Sequence, residues 1–324
     1  MFEVGAVIKV LGELAAAYGS VEISRKAYDW VVHRARDDAE VAEAKQVLGI
    51  RQGDHVAYRH DSVHPLFPNH NALHPDNMAG LVAAAGGECW KALLINKLFP
   101  VDTLTTTLDT NLVLIGSPTA EGLSRPIFGY EPADDDRDSL VLASPTFDLP
   151  YRWVLDKRLT EEACAKRMLS GGQIVERPNW RIEGNGRLFI PATDSEGMLA
   201  ADYLLVTRLR NFLTPDALNT DKYLVSFGGT HGTATRALEI LLKDRSTLRK
   251  IASLLKDKPA SFQMLLRVCD IRHDINTGTK AHAVELVGKP IILPDDYAHW
   301  RAATKIAEEN VRKWVASTQE EKHA

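Results

Sequence analysis

The sequence predicts an α/β protein whose mainly parallel β-sheet carries helices on both faces. Two segments support this prediction, because in each an apolar, β-rich run leads directly into a glycine-containing turn. They are NLVLIGSPT at 111–119 and YLVSFGGTHGTAT at 223–235, and the second continues into helical spacing over 237–242. Alternating strands and helices are typical of a parallel sheet. We therefore expect residues 108–324 to form the principal domain, with antiparallel strands at the sheet edges.

Composition narrows the class of protein. The chain has 324 residues, of which 45% are hydrophobic and 25% are charged, as expected for a folded globular protein. Its formal net charge of −4 gives no general attraction to nucleic acid, which is not an expected partner. The three cysteines are far apart and form no C-x-x-C pair, so neither a disulfide framework nor a cysteine zinc site is predicted. We expect a reducing, cytoplasmic environment.

Residues 1–50 are predicted to form an N-terminal helical module that ends at Gly49. Charged Glu3, Lys9 and Glu13 interrupt its apolar start, so no signal peptide or transmembrane segment is predicted. An apolar helical face packs on the core, on a second copy or partner protein, or on a membrane surface, and packing is the ordinary interpretation. This face contains Val7, Leu11, Leu14 and Tyr18.

Residues 51–107 are predicted to form a His- and Pro-rich loop followed by a connecting helix over 78–98. Four histidines in the loop have i, i+4 spacing in pairs, and imidazoles are common ligands of transition metals. Prolines nearby argue against a continuous helix, and no H-E-x-x-H motif occurs. A metal-dependent hydrolase is therefore the second alternative function, and a polar loop explains the segment equally well. The four histidines are His60, His64, His70 and His74.

The remaining elements of the principal domain follow from local patterns. A β insertion is expected around 130–195, with strands at 139–143, 151–155 and 188–190. Further strands are predicted at 111–115, 202–209 and 223–227, and a hairpin joins 262–272 to 282–286. A C-terminal helix follows Pro294 and presents an apolar stripe. The stripe consists of Tyr297, Trp300, Ala303, Ala307, Val311 and Trp314.

The second glycine turn has the composition of an anion-binding site. Its glycines permit a tight backbone path, so amide groups and the positive end of a helix dipole can converge on a phosphate. Threonine hydroxyls and one guanidinium group add donors. A purely structural strand–helix turn with Thr235 as N-cap is the other interpretation. The predicted ligand-binding residues are Gly228, Gly229, Thr230, Gly232, Thr233, Thr235 and Arg236.

The first glycine turn is expected to line the same crevice, because ligands of open parallel sheets bind where the carboxyl ends of strands meet. The predicted ligand-binding residues of this turn are Gly116, Ser117, Thr119 and Arg125. Arg208 and Asn211 follow another predicted strand and are assigned to the same ligand.

Two further residues suggest an enzyme as the first alternative. Glu121 lies in the first turn, where a carboxylate can stabilise an oxocarbenium-like transition state or activate water. His231 lies in the second turn and has the side chain best suited to acid–base chemistry near neutral pH. Together they predict a hydrolase or transferase that acts on the glycosidic bond of NAD or nucleosides. A solvated glutamate and a hydrogen-bonded turn histidine are the simpler interpretations.

Both strand–turn segments, NLVLIGSPT and YLVSFGGTHGTAT, resemble those of Rossmann-like nucleotide-binding and nucleotide-signalling domains over about residues 108–245. The resemblance implies a Rossmann-like sheet that binds a nucleotide or other phosphorylated small molecule, as an intracellular sensor or regulator. The turns match neither G-x-G-x-x-G nor G-x-x-x-x-G-K-[ST], which argues against NAD redox chemistry and ATP hydrolysis. A nucleotide is the candidate cofactor, and the sequence leaves its identity open.

Overall fold

A computed structural model describes ten parts of the chain: residues 38–50, 56–59, 108–118, 124–132, 140–155, 169–170, 173–174, 180–195, 198–274 and 278–323. Several predictions concern residues outside these ranges. They are the helices before residue 38, the connecting helix over 78–98, Thr119, Glu121, and the histidines His60, His64, His70 and His74.

The described strands are, in chain order, β1 (Val56–Arg59), β2 (Asn111–Ile115), β3 (Tyr130–Pro132), β4 (Leu140–Leu142), β5 (Tyr151–Leu155), β6 (Leu169–Ser170), β7 (Gln173–Ile174), β8 (Trp180–Gly184), β9 (Arg187–Phe189), β10 (Ala192–Thr193), β11 (Leu199–Arg210), β12 (Tyr223–Gly229), β13 (Phe262–Cys269), β14 (Arg272–Asp274), β15 (Gly278–Lys280), β16 (Ala283–Leu286) and β17 (Ile291–Ile292). The described helices are α1 (38–47), α2 (Ser124–Phe128), α3 (Pro215–Asn219), α4 (Gly232–Arg236), α5 (Leu238–Lys243), α6 (Arg245–Leu254) and α7 (Tyr297–His323).

The main sheet has the strand order β1-β2-β12-β11-β13-β16, with β10 beside β11 and β17 beside β13. The β1–β2 and β2–β12 pairs are parallel. All other described pairs of this sheet are antiparallel. The fold is therefore mixed α/β, but the described strands do not form the mainly parallel sheet that the sequence predicts. After β11 the chain turns back, and Asn211 N donates to Lys222 O (2.7 Å), so β12 returns beside β11 in the opposite direction.

Helices cover both faces of the main sheet. Alternate residues of its central strands point to opposite sides, so each face has its own buried cluster. Val113 and Phe227 belong to one buried cluster, which also includes residues of α1, α4, α5 and α6. Leu112 and Leu224 belong to a second cluster on the other face, with residues of α2, α3 and α7. The predicted C-terminal stripe is buried here at Trp300, Ala303 and Ala307, whereas Tyr297 is exposed.

Arg208 fixes α1 to the sheet. Its guanidinium donates to Val47 O (2.9 Å), one of the carbonyls left free at the helix C-terminus, and lies 4.5 Å from the ring centroid of Tyr223. Gly49 follows with φ of 76°, a backbone angle that suits glycine, and its carbonyl accepts from Tyr223 Oη (3.0 Å). The helix thus ends where the sequence predicts.

The insertion between β2 and β11 contains a small antiparallel sheet, β5-β8-β9, that packs on the second face. Gln263 in β13 links the two sheets. Its side-chain oxygen accepts from Tyr151 N (2.7 Å), and its nitrogen donates to Tyr151 O (2.9 Å) and Thr207 Oγ1 (3.0 Å).

Among the described residues, no helix is long and apolar enough to cross a membrane.

Gln263→Ala is expected to lower the free energy of unfolding by about 2–4 kcal/mol, because it leaves buried backbone groups of Tyr151 without their partner. Arg267→Ala on the same strand is the control, because Arg267 is exposed, and its effect is expected within about 0.5 kcal/mol. Urea denaturation measures both changes. Equal stability of the two variants would contradict the linking role of Gln263.

Candidate functional site

Both glycine turns lie at the same edge of the main sheet. β2 and β12 are parallel neighbours with Ile115 opposite Phe227, and Gly116 N donates to Phe227 O (2.8 Å). A Cβ atom added to Gly228 would lie only 3.0 Å from Ser117 Cα, so the turns are in direct contact. The structure therefore brings Gly116, Ser117 and Gly228 together, as the sequence predicts.

The segments that follow the two parallel strands pack on opposite faces of the sheet. After β2 it reaches α2, whose Ile127 and Phe128 are buried on the second face of the sheet. After β12 it enters α4 and α5, whose Ala234 and Leu238 are buried on the first face. A crevice forms where neighbouring parallel strands send their connections to opposite faces, and ligands of α/β sheets bind at such points.

Arg125 supports the first turn. Its Nε donates to Pro118 O (2.7 Å), so the guanidinium of α2 lies against the backbone that follows Ser117. Ser117 is itself buried. A positive charge thus lies beside the first turn.

The second turn surrounds a buried carboxylate that the sequence analysis does not assign to the site. Asp202 in β11 is fully buried. Its Oδ1 accepts from Tyr203 N (3.0 Å) and from the Thr230 hydroxyl, and contacts His231 Nδ1 (3.2 Å). Its Oδ2 accepts from Ala234 N (3.2 Å). The signal in the sequence is an aspartate inside an otherwise apolar strand, since a buried charge needs several donors.

The anion held by this turn is consequently one of the protein's own side chains. The amide of Ala234, at the start of α4, binds Asp202. The Gly229 amide donates to Thr235 Oγ1 (3.1 Å), and the Thr230 amide donates to Tyr203 O (2.9 Å). Thr235 is not the N-cap of α4, because His231 occupies that position. The structure thus uses Gly229, Thr230 and Thr235 internally, whereas Gly232 and Arg236 are partly exposed.

His231 is held at the surface of this turn. Its side chain is 27% exposed, and its Nδ1 faces the buried carboxylate of Asp202. A carboxylate in this position orients an imidazole and fixes its tautomer, which leaves Nε2 for a reacting group. The arrangement can perform general acid–base chemistry.

Arg208 and Asn211 lie at the far end of the sheet, away from the glycine turns. β11 is antiparallel to β12, and its register runs from Leu204 opposite Gly229 to Arg210 opposite Tyr223. Six residue steps of about 3.4 Å separate these pairs by roughly 20 Å. Asn211 Nδ2 donates to Leu108 O and Thr110 O (both 2.7 Å). The prediction that both residues bind the same ligand as the turns assumed a parallel β11, and the observed strand direction removes that basis.

A cavity of about 360 Å³ lies on the second face of the main sheet. Leu205, Thr207, Ser226 and Gln263 of the main sheet contribute to its lining, as do aromatic residues of the insertion and α2. Tyr130 Oη accepts from Trp153 N (2.8 Å) and donates to Trp153 O (3.0 Å). Burial raises the pKa of the Tyr130 phenol above its usual value, so this group stays neutral.

In the part of the chain that the structure describes, no group of three or more His, Cys, Asp or Glu residues could hold a metal ion; the four histidines of the metal-dependent alternative lie outside it. Comparison of the chain with protein-family models, with curated proteins and with solved structures gives no match.

Asp202→Asn is expected to destabilise the fold by about 1–3 kcal/mol, because an amide nitrogen replaces one accepting oxygen and a donor loses its partner. Asp257→Asn makes the same chemical change at an exposed position and is expected to have an effect below about 0.5 kcal/mol. Thermal and urea denaturation of both variants measure the difference. If Asp202→Asn were as stable as the control, the turn would not depend on the carboxylate.

Proposed function

We propose that the protein binds a nucleotide or other phosphorylated small molecule in the crevice between the two glycine turns, as an intracellular sensor or regulator. The observation that carries the proposal is the contact of Gly116 and Ser117 with Gly228, at parallel strand ends whose connections diverge. A cytoplasmic location is part of this proposal and is supported by the widely spaced cysteines. Association with a second copy or a partner protein through the N-terminal helices is also part of the proposal.

The phosphate is assigned to the first turn and to the exposed side of the second. Asp202 already occupies the Ala234 amide, and its negative charge disfavours a phosphate at the same donors. At the first turn the phosphate is assigned to Ser117 and Arg125, and at the second to Gly232 and Arg236, which are partly exposed, whereas Thr233 is buried. One arginine therefore accompanies each turn, and arginine suits phosphate recognition.

A nucleotide panel tests this binding by thermal denaturation. A nucleotide that binds only the folded protein, at a hundredfold excess over its Kd, stabilises it by about 2.7 kcal/mol, which raises Tm by several degrees. Gly228→Ala is expected to reduce this ligand-induced shift, because its Cβ would lie 3.0 Å from both Ser117 Cα and Trp153 Cζ2. No shift with any nucleotide would contradict the proposal.

Gly186→Ala is the control for this experiment. Gly186 has φ of 69° in the β8–β9 hairpin, so alanine strains its backbone, but no atom lies within 4 Å of the added Cβ. We expect a lower Tm without ligand and an unchanged shift on ligand addition. An equal loss of the shift in both variants would mean that general destabilisation, and not the crevice, explains the Gly228 result.

The contact between His231 and Asp202 favours one second candidate, a hydrolase or transferase that acts on the glycosidic bond of NAD or nucleosides. The buried carboxylate orients His231 at the edge of the same crevice, where the imidazole can transfer a proton to or from a bound substrate. Glu121 keeps its predicted role as stabiliser of the oxocarbenium-like transition state, or as activator of water, in this candidate.

Chromatography after incubation with NAD and with nucleosides tests the second candidate. If the protein releases the base, His231→Gln is expected to lower the rate by about 10²–10⁴-fold, the usual contribution of a general acid or base. His282→Gln, at an exposed position, is expected to keep the rate of the unmodified protein. Unchanged substrates would reject this function, and equal rates in both variants would reject the role of His231.

A further inference from the structure

The cavity on the second face of the main sheet has aromatic walls. Phe128, Tyr130, Phe147, Tyr151 and Trp153 all line it. Phe147 stacks on His299 at a centroid distance of 5.5 Å and an interplanar angle of 21°. Such walls favour a flat ring, because aromatic groups stack on or edge against one another. The cavity volume, about 360 Å³, falls in the range of sites for small organic ligands.

The cavity has a polar floor and an open rim. Ser226 is only 6% exposed, and its hydroxyl makes no hydrogen bond to another residue in the described parts of the chain. Ser226 lines the cavity, so its hydroxyl can donate a hydrogen bond to a bound ligand or accept one from it. Pro145 and Asp148 lie at the rim and are exposed, which gives a ligand access from solvent.

The cavity and the crevice meet at Trp153. Ser226 and Gly228 are two residues apart on the same face of β12, a separation of roughly 7 Å along the strand. A Cβ atom added to Gly228 would lie 3.0 Å from Trp153 Cζ2 in the cavity wall and 3.0 Å from Ser117 Cα in the first turn. The Trp153 ring therefore lies between the cavity and the glycine turns, and a ligand that occupies both has to pass this ring.

We infer that this cavity binds the planar heteroaromatic ring of the ligand, a nucleobase, with a ring heteroatom or exocyclic group hydrogen-bonded to Ser226. The inference rests on the proposed function, because the phosphate of the same molecule is assigned to the crevice at Gly116 and Gly228. It adds the chemical class of the ligand: a nucleoside phosphate, whose ring contributes much of the binding, in place of a sugar phosphate or an inorganic anion.

Calorimetric titration of the full chain with the four ribonucleoside monophosphates, the four matching nucleosides and ribose 5-phosphate tests the inference. We expect at least one monophosphate to bind roughly tenfold or more tightly than ribose 5-phosphate, since stacking of a base contributes about 1–3 kcal/mol. Ser226→Leu, which fills the cavity, is expected to abolish this difference. Ser226→Ala, which retains the space, is expected to weaken the preferred monophosphate by about fivefold.

Ser253→Leu is the matched control, because Ser253 is exposed on α6, and it is expected to leave all affinities unchanged. Equal affinity for monophosphates and ribose 5-phosphate would overturn the cavity inference and leave phosphate binding in the crevice intact. Binding of a nucleoside as tightly as its monophosphate, with loss in Ser226→Leu, would support the cavity and contradict the phosphate site. Absence of binding by every probe would overturn both.

Discussion

The parallel pairing of β2 with β12 is the constraint on which the rest of the candidate site depends. The register that sets Ile115 opposite Phe227 also fixes where both strands end, and the Gly116 amide closes the junction by donating to Phe227 O (2.8 Å). Only a residue without a side chain fits easily at position 228, since a Cβ there would crowd Ser117 and Trp153. The following segments pack on opposite faces of the sheet, which is the arrangement at which ligands of α/β sheets bind.

Asp202 changes the interpretation of the second glycine turn. The turn has the composition of a phosphate-binding loop, and it does bind an anion, but that anion is a fully buried carboxylate from the neighbouring strand. The same contact serves two purposes in our account. It stabilises the turn that forms one wall of the crevice, and it orients His231 at the surface of that turn. Ligand binding between the turns and acid–base chemistry by His231 would therefore both depend on the contacts of Asp202.

Local features could be predicted from the sequence, whereas features that join distant segments could not. Strands 111–115 and 151–155 occur as predicted, and Gly49 ends α1, because apolar runs and a positive φ are encoded by neighbouring residues. The predicted direction of β11 was wrong, because a strand that is buried on both faces has the same side-chain pattern in either direction. Asp202 meets Thr230 and Ala234 only after folding. The cavity likewise arises because Trp153 packs over β12, some seventy residues later in the chain.

The most direct test of the central claim is an amide NMR titration of the isotope-labelled protein with nucleoside monophosphates. Our account predicts that at least one nucleotide shifts the resonances of Gly116 and Ser117 together with those of Gly228 and Gly232, because both turns contact one ligand. Resonances at Asn211, at the opposite end of the sheet, should remain unchanged. Shifts at only one turn, shifts centred on Asn211, or no shift with any nucleotide would contradict a shared binding crevice.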